Sequence, residues 1–169
     1  MSTNEPFDFD ALEDARERYP SAIVELHDGV LVIGPHPDAI AQDTIAVLVT
    51  SLLPHIEAGG FWIEGSATVD YDARNSRSYA VALWEINPQH APVLVIHVMS
   101  AHDRLRWARG RVNRALELGV RHGLLIDPAS QSVLVFSGVE RSEHSNGLPL
   151  PELLPDWYLD EVSLFRRRE

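Results

Sequence analysis

The stretch that most narrows the choice of fold runs from Pro92 to Pro128, "PVLVIHVMSAHDRLRWARGRVNRALELGVRHGLLIDP". It opens with a run of Val, Leu and Ile that is apolar on both faces, which is how a strand buried inside a sheet reads. From Ala101 to Leu118 the apolar positions Leu105, Ala108, Val112 and Ala115 recur at helical spacing; Ser100 with Asp103 resembles a capping box, and Gly119 closes the helix. A second apolar strand, "HGLLID", follows directly. Strand, helix and strand in this order put the two strands parallel with a right-handed crossover between them. One letter is out of place: His97 interrupts the first strand.

Around this unit the chain reads as hairpins. "DFDALEDARERYP" is a short amphipathic helix with Phe9, Leu12 and Ala15 on one stripe, ended by Pro20. "AIVELHDGVLVIG" sets Asp28-Gly29 between apolar runs, a hairpin signal because Gly29 can take the positive φ such turns require. Asp38 to Glu57 carries Ala41, Ile45, Leu48 and Leu52 on a helical stripe, with Pro54 expected to kink or end the helix. "FWIEGSATVDY" and "YAVALWEI" read as strands around a polar loop, "DARNSRS", where local disorder is expected. "SVLVFSG" pairs with "HGLLID" around an Asp-Pro turn, "RSEHSNG" reads as a solvent-facing loop, and "PELLPDWYLDEVSLF" as a docked C-terminal segment before an exposed "RRRE". A crossover unit within an otherwise hairpin-built sheet predicts an α/β class: a mixed sheet flanked by helices. We expect an N-terminal helix over 1–21, one domain over 22–165 and an arginine-rich tail over 166–169.

Composition removes several chemistries. The 169 residues contain no cysteine, so there is no disulfide, thiolate metal site or thiol nucleophile, and His, Asp and Glu are the only candidate ligands. All 14 basic residues are arginine, which excludes any mechanism that needs a lysine amine. A formal net charge of -11 disfavours a polyanionic partner unless the arginines gather on one face. The acidic N-terminus has no secretory plan, and the longest apolar run, "IAVLV", is too short to span a bilayer. The expectation is a cytoplasmic protein with no membrane partner.

Taken together, "ELHDGVLVIGPHP", "YAVALWEI", "APVLVIHVMS", "LELGVRHGLLIDP", "SVLVFSG" and "LPLPELLPDWYLDEVSLF" resemble, in order and spacing, the blocks of the Uma-two family of restriction endonuclease-like proteins with a PD-(D/E)xK-type fold. The resemblance runs from about Ala22 to Phe165. It implies a restriction endonuclease-like mixed β-sheet, a homodimer, and a carboxylate-held Mg²⁺ or Mn²⁺ that activates water for phosphodiester hydrolysis. Glu25 matches the hairpin glutamate of that pattern and Asp28-Gly29 its turn, whereas Tyr79 and Ala80 stand at its Pro-Asp pair and His97 at its strand glutamate. Trp107 stands at its helix aspartate, Arg111 at its lysine and Ala41 at a histidine. Glu25, His97 and Arg111 are therefore the candidate catalytic positions, while Ala80 and Trp107 mark acids that are gone.

Each of these residues also has a plain structural reading. His97 reads as a core histidine held by a hydrogen bond, with ligation of Zn²⁺ or Mn²⁺ beside Glu25 as the functional alternative. Glu25 is expected to be solvated or paired, Arg111 being one candidate partner. Trp107, in line with Arg111 and Ala115, is expected to plug the vacated metal space. Arg104, Arg106, Arg109, Arg111, Arg114 and Arg121 read as flanks of a solvated helix, with a phosphate-binding face as the alternative; Asp70 and Asp72 are weak candidates for a displaced cation site. The expected function is that of a degenerate, non-catalytic binding or regulatory module with no cofactor. The alternative is a metal-dependent endonuclease with relocated residues, needing Mg²⁺ or Mn²⁺. A third reading is nucleic-acid binding without cleavage.

Overall fold

A computed structural model describes residues 6–86, 91–138, 140–144, 147 and 149–165. Along the chain come α1 (Phe9–Arg18), β1 (Ile23–His27), β2 (Val30–Gly34), α2 (Ala39–Gly59), β3 (Phe61–Asp72), β4 (Asn75–Glu85), β5 (Leu94–Val98), α3 (Leu105–Glu117), β6 (His122–Asp127), β7 (Ser132–Ser137), β8 (Glu140–His144) and α4 (Glu161–Leu164). The strands form one mixed sheet in the order β2-β1-β4-β5-β6-β7-β8, with β3 also paired to β4. β5 and β6 are parallel, joined through α3, while β1–β2, β1–β4, β4–β5, β6–β7 and β7–β8 are antiparallel. The α/β class and the crossover unit are as expected. The chain divides into two compact units, residues 1–36 with 68–78, and residues 37–67 with 79–169.

In the first unit the Asp8 carboxylate accepts from the Ala11 N–H and starts α1. The helix then buries Leu12 and Ala15 against Val24 and Leu26 of β1, with Phe9 and Leu31 at the margin. Asp28 and Gly29 both take positive φ, 52° and 80°, as a two-residue hairpin turn between paired His27 and Val30 demands. The supposed loop "DARNSRS" is a correction: only Ala73 and Arg74 lie outside the strands, and Asn75, Ser76 and Arg77 are buried. Polarity signals exposure only when no partner is within reach, and here partners are. Asp72 accepts from the Arg74 N–H and the Asn75 side chain, Asn75 Oδ1 accepts from the Asp28 N–H, and Arg16 donates to Ser76 Oγ.

In the second unit Leu48, Leu52 and Ile56 of α2 share an apolar cluster with Leu94, Ile96 and Val98 of β5 and with Leu150, Leu154, Trp157 and Leu164 of the C-terminal segment. That segment docks as expected, Trp157 donating its indole N–H to Ser51 Oγ at 3.1 Å. Pro54 neither ends nor replaces a turn of α2, which runs on to Gly59. The ~3 kcal/mol that an interior proline costs is offset by burial of Leu52 and Ile56 on either side of it. By length and composition Ala39–Ile56, with a mean hydropathy of 1.4, could also cross a membrane; Thr, Ser and Gln break its apolar runs without lowering the average enough to hide this.

A smaller cluster, Ala108 and Val112 of α3 with Leu125, Leu134 and Phe136, covers β6 and β7. Gly123 makes the close approach possible: a Cβ there would lie 2.3 Å from Val112 Cγ1. The expected polar loop "RSEHSNG" is instead largely β8, which pairs antiparallel with β7 at the end of the strand order. The "RRRE" tail lies outside the described residues.

Candidate functional site

Glu25 sits in the middle of β1 with its side chain 2% exposed, so its carboxylate must find partners within the protein. Oε1 accepts from the Ser78 backbone N–H at 2.6 Å, and Oε2 meets His27 Nε2 at 2.8 Å. On the other side of the imidazole, Arg77 Nη1 lies 3.5 Å from His27 Nδ1. A guanidinium can only donate, so the Arg77 contact matches the tautomer in which Nδ1 accepts and Nε2–H faces the Glu25 carboxylate. Arg77, His27 and Glu25 thus form one polarised chain inside the first unit. Sequence reasoning missed Arg77 because it lies in a heptapeptide that looks like a loop; the available signal was the Asx pair Asp72 and Asn75, which shortens the turn and extends β4 backwards.

The remaining candidate positions lie in the second unit. Val81 pairs with Ile96, and the next residues along those two strands are Ala80 and His97. Ala80 is buried in the apolar cluster that also holds Ala41, so two methyl groups stand where the resemblance implies an aspartate and a histidine. His97 does not have the satisfied hydrogen bond expected of it. Its side chain is 12% exposed, and Nε2 faces Asp103 Oδ2 at 3.5 Å as an electrostatic contact but is buried with no hydrogen-bond partner.

Asp103 is the second group that sequence reasoning misplaced. Its Oδ2 accepts from the Ser100 N–H at 2.9 Å, but this closes a turn ahead of α3. The helix N-cap is Arg104, with no side-chain cap. Burial pushes the Asp103 carboxyl up; His97, the Ser100 N–H and the Arg111 charge pull it down by more, and it sits below the usual aspartate range. Asp38 is lowered too, chiefly by the Ala101 and Ala41 N–H groups, and its bond to Ala101 at 2.7 Å ties the start of α2 to the same turn.

Trp107 does not plug anything: it is 69% exposed. Four residues of helix rotate by about 400°, so the line through Ala115, Arg111 and Trp107 drifts by about 40° per step. It leaves the core at Ala115, passes a half-buried Arg111 and reaches solvent at Trp107. Among the arginines, Arg114 pairs with Glu117, Arg121 pairs with Glu85, and Arg104 and Arg106 are exposed.

The donor set does not fit Mg²⁺. Each Glu25 oxygen already accepts a hydrogen bond, Ala80 offers no ligand, and the Asp72 carboxylate is taken up by Arg74 and Asn75. Among the described residues no group of three or more His, Asp or Glu could hold a metal ion.

A crystal structure of a putative nuclease belonging to DUF820 from Anabaena variabilis superposes with a TM-score of 0.73 at 18% identity, covering 84% of this chain and 89% of that one, which establishes a common fold. The DrdV–DNA complex matches with a TM-score of 0.35 at 12% identity, over 62% of this chain and 12% of that chain. No curated protein matches. The model of the Uma2 family, described as "Putative restriction endonuclease", matches residues 7–161, and the chain belongs to that family.

Proposed function

We propose that this chain is a non-cleaving member of its family, a binding module on a nuclease scaffold. The observation that carries this reading is the state of the two carboxylate positions a metal centre needs. Glu25 is engaged by Ser78 and His27 within the first unit, and Ala80, at the position where the family resemblance implies a second carboxylate, has a methyl group packed in an apolar cluster and no ligand atom. The Glu–His–Arg chain has a structural role of its own, setting the Glu25 carboxylate against His27 and the Arg77 charge, with both Glu25 oxygens already accepting hydrogen bonds.

One observation favours nucleic acid as what is bound. Trp107, with Arg104 and Arg106 beside it, is exposed at the uncapped start of α3. An exposed indole can stack on an unpaired base for about 1–3 kcal/mol, and guanidinium groups are suited to phosphate oxygens. The net charge of -11 opposes this, so affinity is expected only at low salt.

The test is incubation of the purified protein with supercoiled, linear and single-stranded DNA in Mg²⁺ and in Mn²⁺. Intact DNA is the expected result, with a low-salt gel shift of the single strand that Trp107→Ala abolishes. Metal-dependent cleavage that disappears in His97→Ala or Glu25→Ala would overturn the non-cleaving reading.

A further inference from the structure

We propose that a cleft at the start of β6, bounded by His122, Ser137, Ser142 and Glu152, is a binding site for a small primary ammonium ion carrying an apolar chain. The cleft lies within the second unit and has a volume of about 550 Å³, well within the size range of small-molecule sites. His122 begins β6 three residues before Leu125, the residue paired with His97, which is about 10 Å along the strand.

Its chemistry is that of an acceptor site. His122 and Ser137 face each other across β6 and β7, and the ring Nδ1 lies 2.7 Å from Ser137 Oγ; with Nδ1–H as the donor in that bond the imidazole is fixed and its other nitrogen is the acceptor for a ligand. Burial, with the neighbouring Arg121 charge, holds the imidazole below its usual range against the opposing pull of Glu152. At neutral pH the ring is uncharged, and Glu152 is the charged group of the lining. Ser142 adds a further hydroxyl, while Val135, Leu150 and two prolines supply apolar wall. A carboxylate, an imidazole nitrogen and hydroxyls around an apolar hollow match a group with three N–H donors, one positive charge and a short hydrocarbon tail. The chain's net charge of -11 draws cations towards it and repels a carboxylate or phosphate of the same size.

The experiment titrates the full chain with butylammonium and octylammonium, each against its matched alcohol, following backbone amide shifts by NMR. Saturable shifts at His122 and Ser137 are expected, with each ammonium binding at least tenfold tighter than its alcohol. Glu152→Gln, at an exposed position that carries no core packing, is expected to weaken ammonium binding at least tenfold and leave the alcohols unchanged. Alcohols binding as well as ammonium ions, undiminished binding in Glu152→Gln, or no saturable shift at these residues would each overturn the proposal.

Discussion

Removing the Glu25 carboxylate tests whether this buried group holds the first unit together. In Glu25→Ala the Ser78 N–H loses its 2.6 Å acceptor and the His27 Nε2–H its 2.8 Å acceptor, while Arg77, 5% exposed, keeps its charge with less to balance it. An unsatisfied buried N–H costs about 1–3 kcal/mol, and breaking a buried charged network by deleting one partner costs about 3–5 kcal/mol in all. With a urea m-value on the order of 2 kcal/mol/M, the midpoint should fall by about 1.5–2.5 M. Glu25→Gln should recover little of this. If its amide oxygen faces Ser78, its NH₂ meets the His27 Nε2–H donor, and the flipped amide sets the same conflict at Ser78; the alternative imidazole tautomer would point a proton at Arg77. Urea unfolding followed by far-UV circular dichroism, with m checked for constancy, measures the difference. A Glu25→Ala midpoint within about 0.5 M of the parent, on the same m-value, would refute the claim that this carboxylate is engaged in holding the first unit together.

Two further outcomes follow from the second unit. Asp38 and Asp103 titrate below the usual aspartate value of 3.8, so the stability they contribute is fully present above that pH and is lost as pH falls towards their folded values. Asp38→Asn and Asp103→Asn should therefore each flatten the acid side of a stability–pH curve below about pH 4 and leave its slope at neutral pH unchanged, measured by urea midpoints at stepped pH. Gly123→Ala places a methyl group against Val112, itself fully buried, and should destabilise by about 1–3 kcal/mol, read as a lowered melting temperature in calorimetry.

Periodicity made much of the architecture legible. A doubly apolar strand, a helix with Ala108, Val112 and Ala115 on one stripe, and another apolar strand can bury their faces in few ways, and β5, α3 and β6 adopt the expected one. The Asp28-Gly29 turn was legible for a similar reason, since its chemistry is local. Trp107 failed because spacing of four drifts around a helix, and its burial was inferred from alignment with Arg111 when the apolar stripe passes one residue away. Asn75 to Arg77 failed because a polar heptapeptide looks the same whether its partners are water or Asp28, Arg16 and His27.

The sequence alone therefore determined the class of fold, the family and the absence of a donor side chain at Ala80, because strand and helix periods, turn chemistry and an alanine methyl are properties of residues and their neighbours in the chain. Only the tertiary structure decided that Glu25 spends its charge on His27 and Ser78, that His97 is left facing Asp103, and that His122 and Ser137 meet at a cleft. Each of those depends on which polar groups fold into hydrogen-bonding distance from remote positions. In a low-dielectric interior that choice of partner, more than the residue type, sets what a charged or ionisable side chain can do.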